Sequence, residues 1–238
     1  MTTELISEVI AIDGPAASGK TTIGYMLATR IKYLLLDTGC MYRAVTLAVL
    51  KNGIAPEDED AVVDLARALR LDIAPAGSAM DGRMYTVLSN GEDVTWQIRT
   101  AEVDLHVSRI SAYKDVRHHL VGCQRAIASR DRTVAVGRDI GTVVLPDAPL
   151  KLYIVASAEE RARRRWLETV ERGQDDASYE LILQDIIRRD QFDGHRKYSP
   201  MRPADDAILI DTSGRTPEEI LSTILSLQYF KAREHSNR

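Results

Sequence analysis

The chain has 238 residues, of which 45% are hydrophobic and 28% charged, and its formal net charge is -4 at pH 7. This length and composition are typical of one compact globular unit and do not require two independent domains. The negative charge gives no electrostatic reason to expect nucleic acid or an anionic membrane as a partner.

The first predicted element is a short apolar strand at 8–12, followed by a complete G-x-x-x-x-G-K-T motif at 14–21. A helical pattern at 21–31 comes directly after the motif. The order strand, glycine-rich loop and helix is the structural context of a phosphate-binding loop. The sequence therefore predicts that this chain binds a nucleoside triphosphate.

Each residue type in this loop has a physical role. Gly14 and Gly19 let the backbone curl so that its N–H groups face phosphate oxygens, and the helix dipole adds positive potential there. Lys20 neutralises charge on the outer phosphates, and the hydroxyl of Thr21 can ligate Mg²⁺. The predicted ATP-binding residues are Gly14, Pro15, Ala16, Ala17, Ser18, Gly19, Lys20, Thr21 and Thr22.

The later elements continue an alternation of strands and helices. Short apolar runs predict further strands at 34–36, 133–136, 150–155 and 207–210. Apolar residues at three- and four-residue spacing predict helices at 41–52, 114–129, 158–172, 178–192 and 217–227. Strands that are apolar throughout and alternate with helices indicate a parallel sheet covered on both faces. We therefore predict a doubly wound α/β core.

The segment 54–112 interrupts this alternation. Pro56 and the four acidic residues after it predict a helix start with proline in the first turn. Alternating residues at 71–74 and 83–88 predict two strands, and 89–91 has the composition of a turn. We predict a small insert of one helix and strands that lies over the core.

The two cysteines and the first eight residues bear on three other possibilities, which are a disulfide framework, a zinc site and a membrane segment. Cys40 and Cys123 lie far apart, without a second Cys or His at metal-ligand spacing, so neither a disulfide framework nor a zinc site is indicated. Residues 1–8 contain no basic stretch before an apolar one, and no apolar stretch approaches the roughly 20 residues of a membrane span. We expect a cytoplasmic monomer with neither a membrane nor a nucleic-acid partner.

Four motifs carry a resemblance to a known family. They are Leu36-Asp37-Thr38-Gly39-Cys40-Met41-Tyr42-Arg43, the segment 90–95 with 98–100, Gly137-Arg138-Asp139-Ile140-Gly141-Thr142, and Arg189-Asp190 with Asp193 and Arg196. In this order and spacing, from about residue 10 to 225, the chain resembles the bacterial-type cytidylate kinase family. The resemblance implies phosphoryl transfer from MgATP to CMP or dCMP, with Mg²⁺ as the cofactor.

The resemblance also implies a domain organisation. One kinase domain would fill 1–238, with a P-loop nucleoside monophosphate kinase-like fold of a parallel sheet flanked by helices. Its core would comprise about 1–53, 113–156 and 203–238. The nucleoside monophosphate-binding insert would be about 54–112, and a lid would span about 157–202.

The resemblance assigns site residues as well. It implies CMP contacts from Thr38, Arg43, Ser108, Arg117, Asp139, Arg189, Asp193 and Arg196, and catalytic roles for Lys20, Arg43, Arg189 and Arg196. Cytosine differs from uracil at its 4-amino group and N3, so its recognition requires a fixed acceptor and a fixed donor. The family pattern gives this task to Ser108 and Arg117, with Asp139 accepting from the amino group. Asp193 would accept from the ribose hydroxyls.

A dense basic run in the predicted lid is less specific. It consists of Arg161, Arg163, Arg164 and Arg165, spaced so that part of it pairs with Glu160 on its own helix. The resemblance implies that one or two of these arginines bind the triphosphate when the lid closes.

One position departs from the family pattern. The family usually has an acidic residue directly before Gly-Arg-Asp, and this chain has Val136. The support that a carboxylate gives to Mg²⁺ would then fall to Asp13, Asp37 or solvent, and we predict slower catalysis or altered metal dependence.

Three alternatives stay open from the sequence. Another P-loop kinase would act on UMP, dTMP or shikimate. A GTP-binding switch would use the D-x-x-G pattern at Asp211–Gly214, although no N-K-x-D guanine signature is present. An inactive relative would use the loop to hold ATP without transferring a phosphate.

Overall fold

The computed structural model of the protein describes residues 8–171 and 178–230. Its strands are β1 (Val9–Asp13), β2 (Leu34–Asp37), β3 (Leu71–Pro75), β4 (Tyr85–Ser89), β5 (Glu92–Asp93), β6 (Thr133–Gly137), β7 (Leu150–Val155) and β8 (Ile208–Asp211). Its α-helices are α1 (Lys20–Ile31), α2 (Thr38–Lys51), α3 (Glu59–Ala68), α4 (Ala101–Ile110), α5 (Lys114–Ala128), α6 (Ala158–Glu171), α7 (Tyr179–His195) and α8 (Pro217–Leu225).

The core is a five-stranded parallel sheet in the order β2-β6-β1-β7-β8. Strands β1 and β6 are buried along their whole length, as expected for strands covered on both faces. Strands β2 and β6 lie on one side of β1, and β7 and β8 lie on the other, so the order of strands changes direction at β1. Open α/β sheets bind ligands at the carboxyl ends of the strands near such a point. The predicted doubly wound α/β core is confirmed.

The core elements occur where the sequence predicts them, with shifts of a few residues at their ends. Helix α2 begins at Thr38 instead of 41, because the Asp37 carboxylate caps the helix by accepting a hydrogen bond from the Gly39 N–H. Helix α7 extends to His195 instead of 192. The predicted helix end at 172 lies outside the described residues.

The interrupting segment forms a second, antiparallel sheet in the order β3-β4-β5. Helix α3 starts at Glu59 with Asp58 as its N-cap, so the prediction that places Pro56 in the first helical turn is wrong. The Asp58 carboxylate accepts from the Ala61 N–H, which gives the helix a cap that proline does not supply.

Three parts of the fold have no counterpart in the sequence prediction. They are β5, a 3-10 turn at Gln97–Arg99 with helix α4 after it, and a π-helical turn at Ile140–Val144. Helix α4 packs against α2 and carries Ser108. Within the described ranges, no helix is both long enough and apolar enough to span a bilayer.

Candidate active site

The phosphate-binding loop has the predicted conformation. A Cβ atom on Gly14 would lie 2.2 Å from the carbonyl oxygen of Ile154, and Gly19 has a φ of +85°, so both positions favour glycine. The Lys20 ammonium donates to the Pro15 carbonyl at 2.9 Å, across the loop. The buried hydroxyl of Ser18 has no hydrogen-bond partner. An unsatisfied buried hydroxyl beside curled backbone suits a ligand with many acceptor oxygens, such as a triphosphate.

Burial changes the protonation of the loop lysine. Desolvation, together with the positive charge of Arg138, lowers the pKa of Lys20 to about 7. A bound triphosphate would bring negative charge to this ammonium and favour its charged form.

A cleft of about 570 Å³ joins the phosphate loop to the interrupting segment and to α7. The predicted site residues that line it are Ala16, Ala17, Lys20, Thr21, Thr38, Arg43, Ser108, Arg117, Asp139, Arg189, Asp193 and Arg196. The other predicted residues, Gly14, Pro15, Ser18, Gly19 and Thr22, belong to the loop and to the start of α1 behind this wall. The structure therefore brings together side chains that lie far apart in the sequence.

A buried ion pair, Arg117–Asp139, lines the cleft. Arg117 Nη2 donates to Asp139 Oδ2 at 2.5 Å, and the two side chains are 4% and 6% exposed. The Arg117 guanidinium also donates to the Ser111 carbonyl at 3.1 Å and lies 5.2 Å from the ring centre of Tyr42. Its Nε has no partner. The pair thus contains a buried carboxylate and a guanidinium N–H without a hydrogen-bond partner.

A second charged cluster surrounds the end of α7. Asp193 accepts from Arg138 Nε at 2.9 Å and forms an ion pair with Arg196 at 3.5 Å. Although burial opposes its ionisation, these two arginines lower the pKa of the Asp193 carboxyl. Arg196 also lies 3.7 Å from Asp139, and its Nη2 is buried without a hydrogen bond. The cluster therefore has a donor left for a ligand.

The four-residue spacing of Arg189 and Asp193 suggests an ion pair between them, but the two residues have other partners. Arg189 lies 3.9 Å from Asp185, one turn earlier in the helix, while Asp193 faces Arg138 of the core. Arg189 consequently keeps its guanidinium in the cleft, where burial lowers its pKa.

Asp104 of helix α4 lies between two cationic side chains. Arg43 donates to Asp104 Oδ1 and, at 2.9 Å, to the Ile98 carbonyl. Arg165 of α6 approaches the other oxygen of Asp104 at 3.8 Å. The carboxylate of Asp104 thus occupies a position between arginines that an anionic ligand group could also occupy.

The basic run of α6 separates into different roles. Arg161 is buried, donates twice to Asp190 and binds the Ala16 carbonyl at 3.2 Å, so it joins α6 and α7 to the phosphate loop. Arg163 pairs with Glu160 on the surface. Arg164 pairs with Glu160 and donates to Thr212. Arg165 is 42% exposed, has longer ion pairs and lines the cleft, which makes it the arginine of this run best placed to reach a ligand there.

Thr21 has one carboxylate beside it. Its hydroxyl donates to Asp37 Oδ2 at 3.0 Å. Hydroxyl and carboxylate oxygens are the ligands that Mg²⁺ prefers, so Thr21 and Asp37 fit this ion. Within residues 8–171 and 178–230, no group of three or more His, Cys, Asp or Glu side chains could hold a metal.

The other two positions considered for this role face different surroundings. Both oxygens of Asp13 accept backbone N–H groups, from Ile140 at 2.7 Å and Gly141 at 2.8 Å. Burial raises the pKa of Asp13 to about 6, against the opposing effect of these hydrogen bonds. Val136 is fully buried, and one of its methyl groups lies against Gly24 of α1.

Several cleft residues were absent from the predicted site. Arg138 donates to the Gly14 carbonyl at 3.1 Å and to Asp193, so it joins the phosphate loop to α7. Tyr85, Arg99 and Asp104 come from the interrupting segment. Arg138 and Arg99 belong to motifs that carry the family resemblance, which is a usable signal, whereas nothing in the local sequence marks Tyr85 or Asp104.

Comparison with known proteins identifies the family of the chain. The family model described as "Cytidylate kinase" matches residues 10–230. The cytidylate kinase of Roseiflexus castenholzii is 50% identical over 218 residues, which cover 92% of this chain and 92% of the relative. That of Chloroflexus aggregans is 48% identical over 221 residues, covering 93% and 94%. That of Caldicellulosiruptor bescii is 46% identical over 220 residues, covering 92% and 95%. By family model and by identity to these relatives, the chain belongs to the cytidylate kinase family.

Proposed function

We propose that this enzyme transfers the γ-phosphate of ATP to CMP or dCMP and releases ADP with CDP or dCDP. Family membership supports the reaction. The observation that carries the proposal is the continuity of one cleft, which residues of the phosphate loop and the Arg117–Asp139 pair line together. A triphosphate and a cytidine nucleotide bound there would bring their phosphates together.

We propose that the Arg117–Asp139 pair selects the base. The Asp139 carboxylate can accept from the 4-amino group of cytosine, and the unpartnered Nε of Arg117 can donate to a ring acceptor. Uracil would leave these buried groups unpaired, and a site of this kind can reject the wrong base by roughly 10⁴-fold. Ser108 lines the same part of the cleft.

We assign the ribose and the acceptor phosphate to the neighbouring charged groups. Asp193 is held ionised by Arg138 and Arg196, and an ionised carboxylate can accept from ribose hydroxyls. Arg43, Arg189 and Arg196 can bind the acceptor phosphate, because guanidinium groups match phosphate oxygens in pairs. Thr38 contributes a hydroxyl oxygen, whose hydrogen is donated to the Val136 carbonyl at 3.0 Å.

Catalysis would rest on position and charge. Phosphoryl transfer needs the donor and acceptor oxygens in line and the charge of the moving group neutralised. Lys20 and the loop N–H groups would hold the donor phosphates, and Arg43, Arg189 and Arg165 would surround the group in transit. Mg²⁺, which Thr21 and Asp37 would hold, neutralises charge on the donor phosphates when bound.

The proposed domain roles follow from these assignments. The segment 54–112 would close over the acceptor, since Tyr85, Arg99 and Ser108 face the cleft from it. The segment 157–202 would act as the lid, and the remaining chain would form the core. We further propose that the enzyme is a monomer in the cytoplasm. Gel filtration with light scattering would test the monomeric state.

One assay tests the function. ADP release from MgATP would be measured with CMP, dCMP, UMP, AMP, dTMP and shikimate as acceptors. We expect turnover with CMP and dCMP well above that with the others, and the absence of cytidine-dependent turnover would overturn the proposal. Arg43→Ala should lose most of the activity. Arg130→Ala is a matched control, because Arg130 pairs with Asp72 on the surface and leaves the cleft intact.

A further inference from the structure

Tyr85 connects the antiparallel sheet to the phosphate loop. It is the first residue of β4 and is 3% exposed. Its hydroxyl donates to Asp37 Oδ2 at 3.0 Å, and the same oxygen accepts from the Thr21 hydroxyl at 3.0 Å. A residue of the acceptor side therefore contacts the carboxylate that lies against the phosphate loop.

The orientation of Asp37 is fixed by donors from three directions. Its Oδ1 accepts from the Gly39 N–H at 3.0 Å, while Tyr85 and Thr21 share Oδ2. The Gly39 bond belongs to the cap of α2, and the Thr21 bond belongs to the phosphate loop. The third hydrogen bond comes from Tyr85, which lies 48 residues away in the sequence, so its position does not follow from the local backbone around Asp37.

Arg99 directs the hydroxyl of Tyr85. Its Nη2 donates to Tyr85 Oη at 3.3 Å, so the hydrogen of that hydroxyl is directed to Asp37. The guanidinium of Arg99 lies 5.9 Å from the ring centre of Tyr85 and 5.6 Å from that of Trp96.

We infer that Tyr85 is a positioning residue that holds the Asp37 carboxylate against Thr21 and thereby sets the affinity of the site for a divalent cation. The inference rests on the proposed function, because the cation accompanies the donor nucleotide. Partners that orient metal ligands from outside contribute strongly to affinity. With Val136 in place of a carboxylate, the orientation of Asp37 becomes correspondingly important.

Tyr85→Phe tests this inference, since it removes the hydroxyl and keeps the ring. Mn²⁺ is the probe: free Mn²⁺ would be titrated by electron paramagnetic resonance with enzyme and a non-hydrolysable ATP analogue, without CMP. We expect the dissociation constant for Mn²⁺ to rise about tenfold in the variant. The Mg²⁺ concentration for half-maximal turnover should rise by a similar factor.

Matched variants separate positioning from general damage. Tyr113→Phe removes a comparable hydroxyl, which donates to the Pro56 carbonyl at 2.8 Å away from the loop, and should leave Mn²⁺ binding unchanged. Combined with Asp37→Asn, Tyr85→Phe should add little further loss, since both act through one carboxylate. Should Tyr85→Phe fail to fold, Arg99→Met, which removes the donor to Tyr85, should weaken Mn²⁺ binding in the same direction.

The outcomes also distinguish the two proposals. Mn²⁺ affinity in Tyr85→Phe within twofold of wild type, or an equal loss in Tyr113→Phe, would overturn the role of Tyr85. Because this titration contains no CMP, its result stands even if the wild-type enzyme fails to phosphorylate cytidine nucleotides. Such a failure would overturn the proposed function alone.

Discussion

Replacing Arg117 by methionine should both destabilise the protein and relax its choice of base. The substitution keeps much of the aliphatic length and removes the charge that pairs with Asp139. Both side chains are almost completely buried, at 4% and 6% exposure, so water cannot replace the lost partner. The Ser111 carbonyl and the ring of Tyr42 lose their contacts to the guanidinium as well.

The magnitude follows from the burial of the charge left behind. Removing one partner of a buried ion pair costs about 3–5 kcal/mol. Arg196, 3.7 Å from the other oxygen of Asp139, retains part of the stabilisation, so we expect the lower end, about 3 kcal/mol. For a chain of this size, about 3 kcal/mol corresponds to a decrease in Tm of about 6–12 °C.

Two assays measure these effects. Thermal unfolding of Arg117→Met and of the double variant with Asp139→Asn gives the coupling between the two residues, and the double variant should recover part of the lost stability. Kinetics with CMP and UMP should show their kcat/KM ratio falling by about 10- to 100-fold, the value of one hydrogen bond to a buried group. A Tm within about 2 °C of wild type would refute the stability argument, and an unchanged CMP-to-UMP ratio would refute the role in base selection.

Three further predictions concern the rest of the site. Because the pKa of Lys20 is lowered to about 7, its amine is largely neutral at pH 8.5 in the free enzyme. The binding of ATP at pH 8.5 should therefore be accompanied by the uptake of close to one proton, which calorimetry in buffers of different ionisation enthalpy would measure. Lys20→Arg should abolish this uptake. Asp104→Asn should lower KM for CMP by about three- to tenfold, because the phosphate of CMP no longer competes with a carboxylate for Arg43. An unchanged KM would contradict this prediction. Asp64→Asn is the control, because the Asp64 side chain is 82% exposed. Val136→Asp should destabilise the protein by about 3 kcal/mol in urea titrations, because it buries a charge beside Gly24. The same substitution should lower the Mg²⁺ concentration for half-maximal turnover. Unchanged kinetics across the Mg²⁺ titration would exclude a metal role for that position.

The core could be predicted from the sequence because its signals are local. Strands such as Val9–Asp13 are apolar over their whole length, and the glycines and lysine of the loop occur at a fixed spacing. Helix α4 has such signals too, because Val103, Val107 and Ile110 are spaced by four and three residues and Thr100 caps its start, and the prediction overlooked them. The two residues of β5 are too few to show a period at all.

The predicted site residues were largely brought together, but their partners were not predictable. Arg43 pairs with Asp104, and Arg138 pairs with Asp193, across more than fifty residues of sequence in each case. Periodicity describes which face of one element is buried and carries no information about which distant side chain lies opposite. The spacing of Arg189 and Asp193 shows that local patterns can also suggest a pair that does not form. Arg189 pairs with Asp185 and Asp193 pairs with Arg138.

The position of Val136 connects the fold to the proposed metal support. In the parallel sheet, Val136 lies in register with Asp37 on the neighbouring strand, and side chains in register point to the same face. Helix α1 covers that face, with Gly24 against Val136 and Thr21 against Asp37. A carboxylate at either position would therefore approach the beginning of α1. Asp37 is the one that has backbone, hydroxyl and phenol donors to orient it, and its dependence on Tyr85 follows from that arrangement.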